Sequence, residues 1–64
     1  MKSSLETLRA EIVAERPHVG KRSYSHNIIS IALRQIASNY GTEAANEAIT
    51  DLDLEKLGWE QVDG

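Results

Sequence analysis

Between Arg16 and Ser25 the chain gathers cations and hydroxyls at the entrance of a helix, which is chemistry suited to holding an anion. Arg16, Lys21 and Arg22 supply positive charge, and Ser23 and Ser25 supply donors. The free backbone N–H groups of a helix start add a field of the same sign. An acidic protein surface, a phosphate or a nucleic-acid backbone would each be accepted there, while a solvated basic loop that balances the acidic tail is the plainer expectation. Gly20-Lys21 is not a phosphate-cradling P-loop, because that motif needs a glycine five residues earlier and Glu15 stands in its place.

Other chemistry finds less support. His26 beside Ser23 and Ser25 offers a base and a nucleophile. No acid lies close in sequence to orient the imidazole, so a capping or packing role is expected of it. Zinc lacks ligands: cysteine is absent and His18 and His26 are the only histidines. Asp51, Asp53 and Glu55 alternate as in a calcium loop, but the sixth position, where that loop turns on glycine, is Lys56. No enzyme, metal or cofactor is expected.

Charge is sorted along the chain. From Arg16 to Gln35 stand Arg16, Lys21, Arg22 and Arg34 with no acid. From Ile36 onward Glu43, Glu47, Asp51, Asp53, Glu55, Glu60 and Asp63 face Lys56 alone. A formal net charge of −3 conceals a positive middle and a negative tail. Opposed fields of this kind orient encounters with a complementary partner or with a second copy.

Three helical stretches must position these groups. Ser3 and Glu6 have the spacing of a capping box ahead of a helix over Leu5–Glu15, striped by Leu5, Leu8 and Ile12 with Val13 at the margin. Pro17 ends it and is expected to push Arg16 out of helical conformation. Residues 16–24 form the one substantial connector. A second helix, Ser25–Tyr40, is capped by Ser23 or Ser25. It buries a broad face of Ile28, Ile29, Ala32, Leu33, Ile36, Ala37 and Tyr40, widened by Ile31. That breadth marks a central helix. Gly41 fits a left-handed helix closure. Thr42 caps a third helix over Glu43–Leu52, with Ala44, Ala45, Ala48, Ile49 and Leu52 inward, and Asp53 caps a final turn, Leu54–Leu57, ended by Gly58.

Ala37 and Gly41 have the spacing found in a DNA-reading helix-turn-helix. Glu47 then falls where such a motif turns a hydrophobic residue inward, and Glu43, Glu47 and Asp51 would present acids to phosphates. An ordinary helical hairpin is the better expectation.

The expected architecture is therefore all-α, a single small domain over residues 1–64 with three helices and a short carboxy-terminal helical turn. No apolar run approaches the roughly 20 residues of a membrane span, and residues 1–8 lack the pattern of a secretory signal. A cytoplasmic address is expected. Sixty-four residues without cysteine sit near the lower limit for a self-sufficient core, so self-association is the expected remedy. The expected role is a non-enzymatic interaction module, homodimeric, with Arg16, Lys21, Arg22, Ser23 and Ser25 meeting an acidic protein partner. Tyr24, Ile31, Tyr40, Trp59 and Val62 are the expected protein contacts. Trp59 could equally fold back as a lid. Nucleic-acid binding through the basic connector is the alternative.

Overall fold

Leu8 and Ile12 of α1 (Leu5–Glu15), Ile29, Ala32, Leu33 and Ile36 of α2 (Ser25–Tyr40), and Ala45, Ala48 and Ile49 of α3 (Thr42–Asp51) close into one buried cluster. Leu54, from a final 3-10 turn over Leu54–Leu57, completes it. This is a computed structural model of the chain, and it describes residues 4–61. The fold is a small all-α domain whose α1 and α3 both pack on α2. Among the described residues there is no strand, only an isolated bridge between Val19 and Arg22. Leu8, Ile12, Ile29, Ile36 and Leu54 are fully buried, each contributing about 1.5–3 kcal/mol relative to exposure. Ala45 and Ala48 are small enough for α3 to approach α2 closely. No described helix is long and apolar enough to cross a membrane.

The element boundaries agree with the periodicity to within a residue, whereas the caps differ. Ser4, not Ser3, caps α1: its Oγ accepts the Thr7 N–H at 3.1 Å and pairs with the Thr7 hydroxyl at 2.8 Å. Ser3 lies outside the described residues. Arg16 keeps helical backbone, at φ −53° and ψ −46°, instead of being pushed out by Pro17. The chain tightens after Glu15 into a 3-10 turn, Arg16–His18, with Pro17 near its start. There the missing N–H leaves no bond unmade.

Tyr24 occupies the cap position of α2 with no side-chain cap bond, so neither Ser23 nor Ser25 caps it. Gly41 alone links α2 to α3 and also takes the cap position expected of Thr42. Its φ of +100° with ψ of 160° is not the left-handed helical geometry expected. It is an extended positive-φ conformation open essentially to glycine. Asp53 does adopt left-handed backbone, φ 55° and ψ 35°, but makes no cap bond. Tyr40, expected on the buried face of α2, is 41% exposed, and Ile28 is only half-buried.

Candidate functional site: a basic hollow beside the outer face of the second helix

After α1 and its 3-10 turn the chain must reverse to start α2, and it does so tightly. The N–H groups of Lys21 and Arg22 both donate to the His18 carbonyl, at 2.9 and 3.0 Å. Gly20 takes the positive φ of +86° that this reversal needs. The result is an open hollow lined by Val19, Gly20, Lys21, Arg22, Ser23 and His26. Its lining holds two permanent cations and a hydroxyl but no carboxylate. Arg22 lies over the Tyr24 ring, 5.8 Å from its centroid, which holds the guanidinium at the rim.

Only part of the expected anion-contact group meets here. Lys21, Arg22 and Ser23 do; Arg16 and Ser25 do not. Arg16 points to another groove, shared with Val13, Pro17 and Leu57, and pairs with Asp53 at 3.8 Å. Ser25 is fully buried, and its hydroxyl donates to Glu15 Oε1 at 2.9 Å. That bond ties the end of α1 to the start of α2 across the connector. Glu15 falls one residue before the acid-free stretch, so its role as a partner for Ser25 was invisible to a count of charges. Removing the hydroxyl is expected to cost about 1 kcal/mol, since half-buried Glu15 loses a donor that water replaces only in part. Urea unfolding of Ser25→Ala should show a lower midpoint at an unchanged slope. An unmoved midpoint would mean that water satisfies the carboxylate fully.

Trp59 acts as a lid. It is partly buried against the core, its Nε1 donates to Ser30 Oγ at 3.2 Å, and its ring stacks on His26 at 4.4 Å and 21°. The half-exposed imidazole of the expected packing role thus has an aromatic neighbour that sequence spacing did not reveal. Among the described residues no cluster of metal-ligating side chains assembles.

Two of the tail's acids are neutralised within the chain. Arg9 meets Asp51 at 3.0 Å and Arg16 meets Asp53 at 3.8 Å, surface pairs in which only Arg9 is partly buried, worth at most about 1 kcal/mol each. Lys21 and Arg34 have no acid partner among the described residues, and neither do Glu43 and Glu47. Tyr24, at the start of α2, and Ile31, two turns on, are 51% and 52% exposed. Val62, expected with them as a contact, lies outside the described residues. The chain matches no protein-family model, no curated protein and no solved structure.

Proposed function

We propose that this chain is a non-enzymatic interaction module that works by protein–protein contact and self-associates through the outer face of α2. The observation that carries this reading is the presence of two half-exposed large side chains, Tyr24 and Ile31, on a chain with a hollow whose cations lack an acid partner among the described residues. Apolar anchors bordered by unpaired charge favour a protein surface with complementary apolar and acidic groups. Tyrosine and arginine are also the residue types that most often dominate binding at such contacts.

A nucleic acid would need the cations to run together along one backbone track. Instead Arg16 is engaged by Asp53, and Arg34 lies about two helical turns beyond His26 at the edge of the hollow, so the continuous stripe is missing. Sedimentation equilibrium at about 100 µM, where a weak dimer is populated by mass action, is expected to give more than the mass of a single chain. Ile31→Asp should return the mass to one chain with helix content unchanged. A single-chain mass for the unaltered protein, or a salt-sensitive shift of duplex DNA, would overturn the reading.

A further inference from the structure

We infer that the occupant of the outer face of α2 is a second copy of this chain, packed antiparallel about a two-fold axis at Ile31. This rests on the self-association proposed above and adds the orientation and register of the partner.

The face has the periodicity of a helix-pairing seam. Tyr24, Ile28, Ile31, Gln35 and Ser38 follow one another at alternating spacings of four and three, and none is buried in the core. That alternation keeps one row facing a neighbouring helix along its whole length. The row carries no charge. Its first half is large and apolar, its second half polar and smaller, and Ile31 is its midpoint. A two-fold axis at Ile31 sets the bulky Tyr24 opposite the small Ser38 of the partner and lays Ile31 on its own copy.

Charge chooses between the two ways of pairing α2 with itself. A parallel pair would set Lys21, Arg22, Arg34 and Glu43 each against its own copy, repulsive at every point. The antiparallel pair carries Lys21 and Arg22 to the other end of the partner's α2. There Gly41 turns the chain and Glu43 stands exposed in the first turn of α3. Lys21 and Arg22 of one subunit then face Glu43 of the other, twice by symmetry. The helix dipoles also oppose head to tail. The domain is flattened, its Cα atoms spanning 29 × 27 × 16 Å.

Absence of cysteine makes the register directly testable. Under mild oxidation Ile31→Cys should form a disulfide-linked dimer, since the axis brings its two copies together. Tyr24→Cys and Ser38→Cys should stay unlinked alone and cross-link when mixed. All three sites are exposed, and circular dichroism verifies that each variant is folded. In parallel, Lys21→Glu should weaken the dimer about fivefold, with Glu43→Lys in the same chain restoring it. Self-linking of Tyr24→Cys and of Ser38→Cys would indicate a parallel pair and overturn the inference. An unaltered protein of single-chain mass removes the self-association reading itself. A dimer in which Ile31→Cys remains unlinked leaves that reading standing and removes only this register.

Discussion

Leu54→Ala is expected to lower stability by about 2–5 kcal/mol, the range for removing a fully buried leucine from a close-packed core. The loss is large relative to the whole. Stability near 0.05–0.15 kcal/mol per residue gives a chain of this length about 3–10 kcal/mol in total. At roughly 4–8 °C per kcal/mol for so small a domain, the thermal midpoint should fall by about 10 °C or more. Leu54 has this weight because it brings the 3-10 turn, and with it Trp59, onto the helical core. The Trp59 N–H donates to the Leu54 carbonyl at 3.1 Å, so the two are joined by backbone as well as by packing. The neighbouring Lys56→Ala, on an exposed side chain, is expected to stay within about 0.5 kcal/mol. Circular dichroism melts of both variants at one fixed concentration make the comparison. A Leu54→Ala midpoint within a few degrees of the unaltered protein would show that the final turn does not belong to the cooperative unit.

Gly41→Ala is expected to destabilise by about 1–3 kcal/mol from backbone strain alone. No atom lies within 4 Å of where a Cβ would stand, so the cost is not a clash with neighbours. It arises because φ of +100° with ψ of 160° forces an L side chain against its own backbone. One residue must reverse the chain between α2 and α3, and few other conformations do so in that space. The mirror of these angles is ordinary extended backbone. D-alanine at position 41, introduced by chemical synthesis, should therefore be tolerated. By restricting the unfolded chain it should even stabilise by about 0.4–1 kcal/mol. Denaturant unfolding of the two stereoisomers separates the explanations: equal losses for both would point to crowding or a lost contact instead of handedness.

Local chemistry fixed the three helices and their ends. Leu5, Leu8 and Ile12 on α1, the broad apolar row of α2 and the alanine-rich face of α3 repeat at helical spacing, and Pro17 and Gly41 punctuate them. Burial followed those stripes because a helix can hide only one side, and periodicity reads that side directly. Long-range pairing decided the rest. The caps differed because backbone geometry selected them: Ser4 caps α1, whereas α2 and α3 begin at Tyr24 and Gly41 with no side-chain cap bond. Ser25 was drawn from the anion-contact group into a buried bond with Glu15, and Arg16 into a pair with Asp53, leaving Lys21, Arg22 and Ser23 as the exposed remainder. Trp59 had two readings of equal merit along the chain. Its stack on His26 and its bond to Ser30, 29 residues away, gave it the lid position. Which residues are helical depends on interactions three and four positions apart, and these are written in order along the chain. Which charges remain free for a partner depends on which helices touch, and that is settled only once the core has closed.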